Sequence, residues 1–167
     1  MSYNNKVITL GCRLNFWESD KINNLIQDKE NIVVFNTCSV TNEAIKNAKK
    51  DIKVFHKKNP KIKIVVTGCA VESDSQAFKD MSEVSYLLKN KDKLSSYKWR
   101  NIKNNISSGK KNEIIFNKLN KENPSNSSIR KFIKIQNGCD HSCTFCIIPR
   151  CRGKSESDSI EKINKEV

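Results

Sequence analysis

Apolar positions along the first hundred residues follow two different periods. Short runs rich in β-branched residues, Lys6–Gly11 (KVITLG), Asn31–Thr37 (NIVVFNT), Ile62–Gly68 (IKIVVTG) and Val84–Leu88, read as strands. Between them, apolar residues recur every three or four positions. One such stretch runs from about Phe16 to Gln27. The clearest covers Asn42 to Lys58, where Ile45, Ala48, Ile52 and Phe55 share one helical face. Thr41 or Asn42 can cap that helix, and Asn59-Pro60 ends it. After Gly68 a polar loop leads to a short helix near Gln76–Met81, and Asp92–Trp99 is a further helical candidate. Strands alternating with helices predict a parallel α/β sheet. Runs such as IVVF and IVV suit strands covered on both faces. The pattern leaves the strand order open.

The pattern then changes. Asn101 to Ser128 is rich in Lys, Asn and Ser, includes Gly109 and Pro124, and offers only Glu113–Phe116 as an edge-strand candidate. It reads as a linker over 101–128, between an α/β domain over 1–100 and the start of a second domain over 129–167. Arg130–Gln136 (RKFIKIQ) is a strand candidate directly before a cysteine motif. One amphipathic helix candidate follows, carrying Ile160, Ile163 and Val167.

Composition narrows the class. The 167 residues, 37% hydrophobic and 29% charged, allow one domain, or one domain and a piece of another. No apolar run approaches the roughly 18 residues of a membrane span. Met1 to Gly11 has no signal-peptide core, so the expected compartment is the cytosol, with no membrane partner. The net charge of +13 suits nucleic acid. Lysine supplies 26 of the 31 basic residues, however, so a solvated lysine surface explains the charge as well.

Seven cysteines, an odd number with nothing pointing to secretion, favour metal ligation over disulfides. Cys139-x3-Cys143-x2-Cys146 offers three thiolates, whereas structural zinc and electron-transfer clusters take four protein ligands. Three leave one iron of a [4Fe–4S] cubane open to an exogenous ligand, which in radical-SAM chemistry is the amino and carboxylate end of S-adenosylmethionine (SAM). One electron from the cluster then cleaves the sulfonium and releases a deoxyadenosyl radical. Gly138 allows close backbone approach. The motif follows a strand candidate, as the first βα loop of a barrel would. Phe145 stands where radical-SAM proteins commonly carry the aromatic beside the adenine. A zinc site remains open if His141 or Cys151 supplies a fourth ligand. Arg150, Arg152 and Lys154 read as a solvated basic loop, or as groups meeting SAM or RNA phosphate.

Cys12, Cys38 and Cys69 each stand just past the C-terminal end of a predicted strand. In a parallel sheet all three thiols emerge at one edge, where open α/β sheets bind ligands. They form a second three-thiolate candidate for a [4Fe–4S] cluster. The alternative is three small buried residues at strand ends.

Gly11–Ser19 (GCRLNFWES), Asn36–Ala44 (NTCSVTNEA), Thr67–Ala70 (TGCA) and Gly138–Gly153 (GCDHSCTFCIIPRCRG) together resemble the methylthiotransferases of the radical-SAM superfamily. The GCRLN and NTCSVTNEA variants resemble the branch acting on threonylcarbamoyl-adenosine of tRNA, rather than those acting on isopentenyl-adenosine or on a ribosomal-protein aspartate. The resemblance implies two [4Fe–4S] clusters, with Cys139, Cys143 and Cys146 on the SAM cluster and Cys12, Cys38 and Cys69 on an auxiliary one. It implies methylthiolation at C2 of a modified adenosine beside the anticodon, with tRNA as partner and a flavodoxin or ferredoxin as electron donor. An α/β methylthiotransferase domain, a radical-SAM TIM-like barrel and a C-terminal TRAM domain are the expected architecture.

Three departures stand out. The Cys12–Cys38 interval is short, so one strand or loop of the first domain is expected to be trimmed. KSESDS follows Arg152-Gly153 where the family carries a basic run. Only 21 residues follow Cys146, against roughly six βα units of about 30 residues each in a barrel. The expectation is the first βα unit of a truncated barrel without the TRAM domain, inactive alone.

Overall fold

A computed structural model describes residues 6–26, 31–108 and 132–167. Four strands, β1 (Lys6–Thr9), β2 (Ile32–Thr37), β3 (Lys63–Gly68) and β4 (Tyr86–Leu88), form one sheet in the order β1-β2-β3-β4. All three pairings are parallel, with Thr9 opposite Asn36 and Thr37 opposite Gly68. The expected parallel α/β sheet is therefore present, and each strand candidate lies within two residues of its observed limits.

Two apolar layers cover the sheet, because alternate residues of a strand face opposite sides. Val33, Phe35, Ile64 and Val66 pack on one face with Ile52 of α2 (Asn42–Lys58), Val71 of α3 (Cys69–Ser73) and Phe78 of α4 (Ser75–Lys79). Val34 and Val65 pack on the other with Ile22 and Ile26 of α1 (Arg13–Ile26) and Trp99 and Ile102 of α5 (Ser96–Ser108). Every residue of β2 is buried, as a strand covered on both faces requires. The strand order advances one way while α1 and α2 lie on opposite faces, so the β1–α1–β2 and β2–α2–β3 crossovers have opposite hands. That is rare for parallel units.

Helix α2 has its expected limits. The Thr41 hydroxyl accepts from Ala44 N at 3.1 Å, Glu43 faces the positive end of the dipole, and His56, Lys57 and Lys58 face the negative end. Elsewhere the boundaries move. Instead of a polar loop, α3 begins at Cys69 directly after β3, while α4 overlaps the helix expected near Gln76–Met81, starting one residue earlier and ending two earlier. The last helix starts at Ser96 rather than Asp92, because 90–94 are turns, and it continues to Ser108. Burial of Trp99 and Ile102 against α1 and the sheet fixes that helix despite its polar sequence. The Glu113–Phe116 strand and most of the 101–128 linker lie outside the described residues.

The C-terminal segment differs more. Residues 132–135 are not strand; β5 is Gln136–Asn137 and pairs antiparallel with β6 (Glu156–Ser157). The strand expected to begin a parallel barrel thus bonds to the chain's own return, the partner that satisfies its backbone groups. Two short helices follow the cysteine loop, α6 (Ile148–Arg152) and α7 (Ile160–Glu166). The segment rests on α1: Trp17 Nε1 donates to Glu166 Oε2 at 3.3 Å, and Lys134 Nζ lies 5.1 Å from the Trp17 ring centre. Among the described residues no helix is long and apolar enough to cross a membrane.

Trp99 is fully buried and its ring nitrogen donates to Lys93 O at 2.7 Å. Trp99→Ala is expected to destabilise the chain by about 3–5 kcal/mol, measured by equilibrium denaturant unfolding.

Candidate metal centre

The C-terminal edge of the sheet carries the first three thiols. Cys38 and Cys69 directly follow β2 and β3, and Cys12 stands three residues after β1. Because the three strands are parallel neighbours, the thiols share one edge, with Cys38 and Cys69 buried and Cys12 exposed.

Local chemistry fixes this edge. Thr37 Oγ1 donates to Thr67 O at 2.6 Å, and Thr67 Oγ1 donates to Leu88 O at 2.7 Å, so hydroxyls tie three strand ends in sequence. Gly68 has φ +102°, and a Cβ there would lie 2.2 Å from Thr37 O. Gly11 has φ +110°, and its Cβ would lie 2.4 Å from Cys38 Cβ. Each Gly-Cys pair is thus a left-handed turn pressed against the neighbouring cysteine loop. Asn15 clamps two loops together: its Nδ2 donates to Leu10 O at 2.8 Å and to Thr37 O at 3.1 Å. Asn90 Nδ2 lies 3.7 Å from Cys69 Sγ and donates to Cys151 O at 2.7 Å.

Cys139, Cys143 and Cys146 lie on a loop closed at its base. Cys139 N donates to Gly153 O at 3.1 Å, Ser155 N donates to Asp140 Oδ1 at 3.0 Å, and β5–β6 completes the closure. Gly138 has φ +76° and a Cβ there would meet Lys154 O at 2.0 Å, so glycine is required. Phe145 is 91% exposed, outside any core. His141 is exposed.

Cys151 does not join this loop as a fourth ligand. Helix α6 carries it onto the sheet edge, where its Sγ lies 3.4 Å from Ser39 Oγ and 3.4 Å from Cys69 O. Burial pushes its thiol pKa up. The last turn of α6 also corrects the reading of Arg152 as a solvated or ligand-facing group. Its guanidinium is buried against α1, bonding Glu18 Oε1 at 2.8 Å and Oε2 at 3.2 Å, Asn15 Oδ1 at 2.7 Å and Asn137 Oδ1 at 3.0 Å. Lys93 Nζ shares Glu18 Oε2 at 2.5 Å. Burial opposes charge on Arg152, yet the bonds and charge of Glu18 prevail and its pKa is raised. For Lys93 burial dominates and its pKa falls, although Glu18 holds it up. A signal for this cluster lay in the sequence: Asn15, Glu18 and Ser19 interrupt the inward face that α1 continues with Ile22 and Ile26.

All seven cysteines are free thiols. Among the described residues no three His, Cys, Asp or Glu side chains converge closely enough to hold a metal as placed. The donor chemistry of both sets nevertheless fits a cluster with one open iron. Each set offers three thiols, and Cys12 and Cys69 of the strand-end set favour the charged form of Arg152.

Residues 4–89 match the family model described as "Uncharacterized protein family UPF0004". The chain belongs to this family. Over 164 residues it is 39% identical to a threonylcarbamoyladenosine tRNA methylthiotransferase of Rickettsia prowazekii, covering 97% of the chain and 39% of that relative. A ribosomal protein uS12 methylthiotransferase of Carboxydothermus hydrogenoformans is 30% identical over 96% of the chain and 40% of the relative. A tRNA-2-methylthio-N(6)-dimethylallyladenosine synthase of Clostridium perfringens is 27% identical over 96% and 40%. The homologues of this UPF0004 chain are thus methylthiotransferases, and it spans about two fifths of their length.

The two positive-φ glycines Gly68 and Gly153 give a controlled comparison. Both pay backbone strain on gaining a Cβ, roughly 1–3 kcal/mol in this positive-φ, extended region, but nothing lies within 4 Å of a Cβ at Gly153. Gly68→Ala is expected to lower the melting temperature more than Gly153→Ala in thermal unfolding.

Proposed function

We propose that the whole protein transfers a methylthio group to C2 of threonylcarbamoyl-adenosine, beside the anticodon of tRNA, by radical-SAM chemistry. The observation that carries the reading is the pair of three-thiol sets, one on the sheet edge and one on the loop that α6 joins to that edge. Cys139, Cys143 and Cys146 would hold the SAM-binding [4Fe–4S] cluster. Cys12, Cys38 and Cys69 would hold the auxiliary one. A cluster held by Cys139, Cys143 and Cys146 would supply one electron to the SAM sulfonium, drawn from a flavodoxin or ferredoxin. The exposed ring of Phe145 is available to stack on the adenine. Relatives named for threonylcarbamoyladenosine, at 39% and 34% identity, support the substrate. The +13 charge suits tRNA phosphate. The activity is proposed for the whole protein, since the chain spans two fifths of those relatives; the 167 residues alone are proposed to be inactive.

A second reading keeps the chemistry and changes the substrate, favoured by the ribosomal-protein and dimethylallyladenosine relatives. Mass spectrometry of a strain lacking the gene separates them. Loss of the methylthio group from threonylcarbamoyl-adenosine is expected, with ribosomal protein and dimethylallyl-adenosine unchanged. Restoring the gene with Cys38→Ser or Cys143→Ser is expected to leave the nucleoside unmodified. Intact modification in the deletion strain would defeat the proposal.

A further inference from the structure

Glu18, Lys93 and Arg152 form a charged cluster whose side chains are 5%, 2% and 6% exposed. Two cations share one carboxylate, and among the described residues no second carboxylate bonds either of them. Burying charge is costly unless the geometry is good and its bonds are complete. Here the guanidinium fork meets both carboxylate oxygens, the arrangement that arginine but not lysine can make.

The cluster connects the two halves of the candidate centre. Arg152 stands six residues past Cys146 and bonds Asn137, which precedes Gly138-Cys139. On the other side it meets Asn15, whose Oδ1 accepts from Arg152 at 2.7 Å and lies 3.9 Å from Cys12 Sγ. The same amide's Nδ2 bonds the backbone just before Gly11-Cys12 and before Cys38. The amide cannot be reversed, since its NH2 would then face the guanidinium and its oxygen two carbonyls. Cys69 and Cys12 in turn favour the charged form of Arg152, and Cys69 favours that of Lys93.

We propose that Arg152 is a positioning residue that locks the Cys139–Cys146 loop in one fixed relation to the strand-end thiols, and that its buried guanidinium supplies the positive charge facing an anionic group held by Cys12, Cys38 and Cys69. The proposal rests on the two-cluster reading above. Three thiolates and an iron–sulfur cluster carry negative charge, so the excess buried cation complements them. A positive charge nearby favours the reduced, more negative cluster and raises its potential.

The test uses the anaerobically reconstituted protein. Iron and sulfide content of the wild type decides the reading first: no sulfide would overturn both the two-cluster reading and this proposal. With clusters present, the strand-end potential is measured in a background carrying Cys139→Ser, Cys143→Ser and Cys146→Ser. Arg152→Gln is expected to disfavour reduction by roughly tenfold, about 59 mV downward for one electron. Spin coupling between the two reduced clusters, measured with all six cysteines present, is expected to become heterogeneous in Arg152→Gln and in Arg152→Lys. Arg152→Lys, which keeps the charge but loses the fork, should hold the potential nearer the wild type. If Arg152→Gln does not fold, the coupling in Arg152→Lys carries the test. Folded variants with wild-type potential and wild-type coupling would overturn the proposal while leaving the two-cluster reading intact.

Discussion

Because β1, β2 and β3 pair in parallel, their chains run in one direction, and whatever follows each strand emerges at the same edge. Chain direction brings together Cys12, Cys38 and Cys69, which are separated by 26 and 31 residues in sequence. An antiparallel pairing would send one of them to the far end of the sheet. The burial of β2 and β3 on both faces enforces the pairing, since Val33–Phe35 and Ile64–Val66 supply apolar side chains to both layers. Register matters as much, because a slip of one residue would turn each strand's side chains to the opposite layer.

On that frame the edge is finished by polar and backbone chemistry rather than by apolar packing. Thr37 and Thr67 bond across successive strand ends, Asn15 holds two loops, and the glycines before Cys12 and Cys69 let backbones approach where a Cβ would collide. Helix α6 then lies on the same edge through Cys151, while Arg152 reaches the buried carboxylate of Glu18. The segment that carries the second cysteine set is thereby held against the edge that carries the first.

Most of the sheet was legible in the sequence, since β-branched runs and the apolar face of α2 carry strong periodic signals. Boundaries failed where packing outweighed local pattern. Helix α5 continues to Ser108 because Trp99 and Ile102 are buried, and β5 is short because its available partner is the two-residue β6. Of the candidate centre, the strand-end positions of Cys12, Cys38 and Cys69 were readable, whereas Gly138, read as room for a ligand, is pressed against the backbone of Lys154. The role of Arg152 was not readable. Its partners on α1 lie 134 and 137 residues away, and an arginine in a basic loop carries no local sign of burial. The polar interruption of α1 at Asn15, Glu18 and Ser19 was the only trace of it.

The central claim is that parallel strand ends make one ligand set from Cys12, Cys38 and Cys69. The most direct measurement is iron and sulfide content, with the spectrum of the reduced state, in a protein where Cys139, Cys143, Cys146 and Cys151 are all serine. The account predicts one [4Fe–4S] cluster per chain, lost when any one of the three remaining cysteines is also replaced. A folded four-serine variant that binds no iron, or keeps its cluster without Cys12, Cys38 or Cys69, would contradict it.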